Sequence, residues 1–71
     1  MYLIIYDIAD PARLRQVAKI IKRYGLRVQK SAFECDINER QFRILAEKLE
    51  NTISAEDKIF CYRSTTLIKK L

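Results

Sequence analysis

Histidine is absent from the chain, so Ser-His-Asp and Cys-His catalysis and every His-ligated metal site are excluded. One glycine and one proline leave almost no loop to spare. Only two cysteines occur, Cys35 and Cys61; they form no CxxC pair and allow at most one disulfide. That is no secreted disulfide scaffold, and the expected state is two half-buried free thiols. No apolar run approaches the ~20 residues of a membrane helix. The chain opens on a strand-like stretch rather than a basic region followed by an apolar one, so no signal peptide is read and a cytoplasmic location without membrane contact is expected. What is present is globular: 49% apolar residues are too many for a disordered chain. The 71 residues make a single domain, 1–71. A chain this short buries only roughly 60% of its surface, so support from oligomerisation is expected.

Residues 2–8 are aromatic and β-branched, and both faces of the alternation are apolar except at Asp7. This predicts a strand in the middle of a sheet, covered on both sides. Asp10-Pro11 is a helix start, with the helix running to Tyr24 and Gly25 as its stop. Leu14, Val17, Ala18, Ile21 and Tyr24 form its apolar stripe. Over 26–35 the alternation slips near Gln29–Ser31, predicting a hairpin or a strongly bulged strand, with two short strands favoured. Asn38 and Gln41 have capping-box spacing, and Ile37 and Phe42 that of a hydrophobic staple, ahead of a stripe of Phe42, Leu45, Ala46 and Leu49 that can extend to Ile53. Lys58–Arg63 is a further strand, apolar on both faces, and Thr66–Leu71 a short final one.

The order β-α-β-β-α-β predicts an α+β, ferredoxin-like fold: an antiparallel sheet with two helices on one face. The other face, apolar on at least two strands, then has no cover within the chain. The simplest cover is a second copy, giving a face-to-face homodimer.

Carboxylates are also missing from one long stretch. Arg13, Arg15, Lys19, Lys22, Arg23, Arg27 and Lys30 follow one another with no acid between them, while the whole chain carries +5. Such a segment is either a solvated helix face or a contact for the phosphate backbone of a nucleic acid. It has no run of exposed aromatics for stacking on single-stranded bases, which disfavours an RNA-binding ferredoxin-like module. Asp7, at the end of the first strand, either accepts backbone N–H bonds at the turn or ligates a metal. Without histidine, phosphodiester hydrolysis needs a hard cation such as Mg2+, and two Asp7 carboxylates meeting across a dimer axis make a better site than one.

The run Tyr6-Asp7-Ile8 with Asp10 and Arg13, then Tyr24-Gly25-Leu26-Arg27-Val28-Gln29, then Ser31-Ala32-Phe33-Glu34-Cys35, resembles the second CRISPR-associated protein family, the small subunit of the spacer-acquisition machinery. The resemblance covers about half the chain. It implies a symmetric homodimer whose C-terminal strands commonly add to the partner's sheet. It also implies a Mg2+-dependent endonuclease acting on RNA or DNA, with Asp7 as catalytic residue and metal ligand in each protomer and Tyr6, Asp10, Arg13, Arg27 and Phe33 near the site. The alternative it implies is a non-catalytic scaffold that holds duplex DNA on its basic surface between dimers of the integrase. Two features depart from the family pattern. Lys30 stands where an aromatic is common, and the segment available for the partner's sheet and for integrase docking is reduced to about Ser64–Leu71.

Overall fold

The computed structural model describes every residue from Met1 to Leu71. In chain order the elements are β1 (Tyr2–Asp7), α1 (Pro11–Lys22), β2 (Leu26–Gln29), β3 (Ala32–Cys35), α2 (Glu39–Glu50), β4 (Lys58–Arg63) and β5 (Thr66–Lys70). The strands form one sheet in the order β2-β3-β1-β4-β5, with every pair antiparallel. This is the ferredoxin-like α+β arrangement, extended by a fifth strand at the β4 edge. β1 is central, as its apolar faces require.

Alternation along β1 divides the molecule in two. Tyr2, Ile4 and Tyr6 are buried, together with their cross-strand neighbours Cys35, Phe33, Cys61 and Ile59. Val17 and Ile21 of α1 and Phe42, Leu45, Ala46 and Leu49 of α2 complete this core. The Tyr2 and Phe42 rings stack with centroids 4.3 Å apart and planes 4° from parallel. Leu3, Ile5 and Asp7 point the other way, beside Phe60 and Tyr62 of β4. That face carries no helix, and Leu3, Ile5, Phe60 and Tyr62 stay partly exposed.

Both helix starts follow from their caps. Asp10 accepts from the Arg13 amide at 2.9 Å, and Pro11 occupies the first turn. Asn38 and Gln41 close both bonds of a capping box, at 2.8 Å and 3.0 Å. The slip in alternation over 26–35 is resolved by two devices together: a turn at Lys30–Ser31, and a bulge between Arg27 and Gln29. A second bulge lies where β5 meets β4, and Ser64 takes the left-handed φ of 57° in the turn between them.

Two expectations need correction. α1 ends at Lys22 rather than Tyr24, and Gly25 is not a left-handed stop, since no glycine here has positive φ. Gly25 is glycine because backbone passes over it. A Cβ there would press on the Glu34 carbonyl oxygen, the Cys35 Sγ at 2.6 Å and the Cys35 Cα at 2.8 Å. The cysteines are fully buried rather than half-buried, and free. Burial pushes both thiols up to about 11. They lie on strands flanking β1 on either side, opposite Tyr2 and Ile4, roughly 12 Å apart by strand spacing and rise and beyond disulfide reach.

Gly25→Ala should therefore destabilise the fold by about 1–3 kcal/mol, as overpacking against backbone does. Urea unfolding checks this; an unchanged midpoint would mean that β3 can move aside.

Candidate functional site

Asp7 ends β1 on the helix-free face. It is exposed, and it takes part in none of the side-chain hydrogen bonds or ion pairs of the chain. Of the two readings of Asp7, accepting backbone bonds at the turn finds no support, because that task belongs to Asp10. No group of three or more cysteine or carboxylate side chains able to hold a metal exists within one chain. Asp7 itself is then one free carboxylate that a hard cation could meet.

The cations are sorted by the fold into three sets. Arg15, Arg27 and Lys30 line a groove of about 200 Å³ between α1 and the β2–β3 hairpin, floored by Tyr6, Leu14 and Ala18. Arg27 also lines a second hollow of about 360 Å³ with Lys22, Gly25, Leu26 and Phe33. The two hollows share Arg27 and form one furrow along α1, bordered by Arg15, Lys22, Arg27 and Lys30 with no carboxylate. None of these four is ion-paired within the chain. The Arg27 guanidinium lies 5.2 Å from the Phe33 ring centroid, which holds it over the furrow. Lys19 and Arg23 fall outside; Lys19 lies with Gln16, Ile20 and Thr52.

Arg13 forms the third set alone, and its surroundings are not those of a phosphate contact. Its Nε donates to Asp57 Oδ2 at 2.7 Å and its Nη2 to Asp57 Oδ1 at 3.3 Å and Glu56 Oε1 at 2.9 Å, with Asp10 3.9 Å from Nη1. Three carboxylates around one guanidinium make a net negative cluster, which repels phosphate. Asp57, with its side chain fully buried, was missed in the sequence, where Ser54–Asp57 reads as a polar turn. The one available signal was its place immediately before an apolar strand. Hydrogen bonds from Arg13 and the Ser54 amide hold the Asp57 carboxyl below its ordinary value. Glu56 is lowered as well, chiefly by Ser54. Arg13 is raised, chiefly by Asp57.

A sequence model of the family described as CRISPR associated protein Cas2 matches residues 1–67. The chain belongs to the Cas2 family. It is 43% identical to the CRISPR-associated endoribonuclease Cas2 1 of Moorella thermoacetica, over 99% of this chain and 80% of that one. It is 44% identical to the CRISPR-associated endoribonuclease Cas2 3 of Chloroflexus aurantiacus, over 86% of this chain and 67% of the other. Among solved structures it resembles a hypothetical protein from Thermus thermophilus at a TM-score of 0.86 and 32% identity, covering 99% and 87% of the two chains. It also resembles Streptococcus pyogenes Cas2 at pH 6.5, at a TM-score of 0.80 and 38% identity, covering 87% and 82%.

Within this Cas2-family fold the residues expected near Asp7 do not gather around it. Tyr6 and Phe33 are buried on the helix side, with ring centroids 6.2 Å apart. Asp10 is a helix cap and Arg13 an ion-pair partner. What shares Asp7's end of the sheet is the Lys30–Ser31 turn, because the Tyr6 amide donates to the Ser31 carbonyl at 3.0 Å. β5, the strand expected to add to a partner's sheet, pairs along one edge with β4 of its own chain.

The depressed carboxyls link stability to pH. A group whose folded pKa lies below its unfolded value stabilises above the unfolded value, near pH 4, and this is lost as pH falls through the folded pKa. Thermal midpoints should fall as pH drops below about 4, and Asp57→Asn should flatten that fall. An unchanged pH profile in Asp57→Asn would assign the acid sensitivity to other carboxylates.

Proposed function

We propose that the protein is a homodimeric, divalent-cation-dependent endonuclease of CRISPR spacer acquisition, working in the cytoplasm on phosphodiester bonds of RNA or DNA. One observation carries this. The Asp7 carboxylate is exposed and unpaired, on a bare apolar sheet face, at the sheet end that also holds the Lys30 turn. Covering that face with a second copy brings a second Asp7 to the same side. Mg2+ accepts one or two carboxylates and completes its shell with water and phosphate, so the donor set fits a hard cation. When bound, the cation supplies Lewis acidity at the scissile phosphate. The chain's own part is to hold it through Asp7 and to seat the flanking phosphates on Arg15, Lys22, Arg27 and Lys30. No other side chain beside Asp7 is placed as a general base. The endoribonuclease names of the relatives support the reading.

A second reading has its own observation. The furrow lies on the helix side of the sheet and Asp7 on the opposite side, so duplex DNA can occupy the furrow without meeting Asp7. That fits a non-cleaving scaffold bridging integrase dimers.

Asp7→Ala separates the two. Cleavage with Mg2+ should fall at least about 100-fold, and chelation should do the same to the unmutated protein, while nucleic-acid affinity holds. Loss of cleavage with intact spacer acquisition would establish the scaffold. Sedimentation should show a dimer at micromolar concentration, and a stable monomer there would remove the shared site.

Affinity should also fall with salt. Arg15→Gln, Lys22→Gln, Arg27→Gln and Lys30→Gln should each reduce the slope of log K against log salt by about 0.9 for a duplex, whereas Lys19→Gln should leave it near its original value. A larger effect at Lys19 would move the contact to the other side of α1.

A further inference from the structure

Asp7 is the last residue of β1, and its cross-strand partner Lys58 is the first of β4. Such a terminal rung frays readily, because no ladder bond follows it. Here the chain on either side of the rung is tied down just beyond it. Asp57 immediately precedes Lys58 and receives Arg13 at two points, 2.7 Å and 3.3 Å. Arg13 sits in the first turn of α1, which begins four residues after Asp7, and its amide is fixed on the Asp10 cap. Asp57 is fixed in turn: the Ser54 amide donates to its Oδ2 at 3.0 Å, and its own amide donates to the Ser54 carbonyl at 3.0 Å. The chain leaving Asp7 and the chain arriving at Lys58 are thus joined by a planar, two-point ionic contact, which fixes orientation as well as distance.

We propose that Arg13 and Asp57 are positioning residues for Asp7: their ion pair holds the strand end that presents the carboxylate, and Arg13 does not touch the nucleic acid. This rests on Asp7 being the metal-holding group. It assigns a role to Asp57 and places Arg13 outside the phosphate-binding set.

Arg13→Gln and Asp57→Asn test it in the full chain, with Arg13→Lys as the variant that keeps charge but loses the two-point fork. Hydrogen exchange followed by mass spectrometry should quicken at least about tenfold in segments 3–10 and 55–62, while 39–50 in α2 stays protected. In Mg2+-dependent cleavage of a model RNA or DNA, kcat should drop with KM within about twofold. Arg13→Lys should fall between the unmutated protein and Arg13→Gln. The double variant should be no worse than the poorer single one, because both remove the same contact. The slope of log K against log salt should not change.

A slope reduced by about 0.9 in Arg13→Gln, with Asp57→Asn cleaving normally, would make Arg13 a phosphate contact and overturn the proposal. Equal loss of protection in α2 would reduce the pair to a general stabiliser and overturn it too. If the unmutated protein does not cleave at all, the nuclease reading fails, and exchange at the Asp7 rung still decides whether the ion pair holds that strand end.

Discussion

Period-two alternation along β1 is the constraint on which the other placements depend. With Tyr2, Ile4 and Tyr6 committed to the helices, Leu3, Ile5 and Asp7 have no choice of face. A one-residue slip would turn Asp7 to the helix side, toward the apolar surroundings of Tyr6 (Leu14, Ala18 and Phe33), where an unpaired carboxylate is very costly. β1 is held against that slip from both sides, since β3 places Phe33 and β4 places Cys61 opposite Ile4. The same alternation leaves Leu3, Ile5, Phe60 and Tyr62 without a helical cover. One register therefore sets both the position of Asp7 and the reason for proposing a second copy.

Most of the fold was readable from residue order because the signals were local. Caps at Asp10 and Asn38 fix helix starts within one turn, and the stripe Phe42, Leu45, Ala46 and Leu49 is buried as its spacing requires. The slip near Gln29 was visible as a fault in alternation, although its two components, a turn and a bulge, were not separable. What was not readable depends on distant parts of the chain. Gly25 looks like a helix stop from its neighbours, and its actual constraint comes from Glu34 and Cys35 on β3. Arg13 looks like part of a basic run, yet its partner lies 44 residues away. The site divided in the same way. Asp7 stood out as the lone charge in an apolar strand, but which cations could serve it was decided by tertiary placement.

That placement changes the meaning of the charge. Counted along the chain, Arg13 to Lys30 is a uniform run of cations. In space, Arg13 is neutralised by carboxylates, Lys19 and Arg23 lie apart, and only Arg15, Lys22, Arg27 and Lys30 border one furrow. The furrow and the Asp7 face are on opposite sides of the sheet but converge at the end where the Lys30–Ser31 turn meets Tyr6. A strand lying in the furrow reaches Asp7 only by passing around that end. In the proposed enzyme, the phosphates seated in the furrow and the phosphate at Asp7 therefore lie on a path that rounds this end of the sheet.

The Arg13–Asp57 pair belongs to the same economy. Taking two charges out of water offsets much of their attraction, and a well-packed apolar pair of similar volume often stabilises a fold as well or better. Stability alone therefore gives little reason for ions at this position. An apolar contact, however, is non-directional, and side chains can slide across it. A guanidinium meeting a carboxylate at two points, with that carboxylate also held by the Ser54 amide, permits one relative orientation of α1 and β4. The helix and strand so joined flank the residue whose direction matters most if a metal must be shared between two chains. Directional restraint at Asp7, more than net free energy, accounts for an ionic pair in a domain otherwise held together by apolar packing.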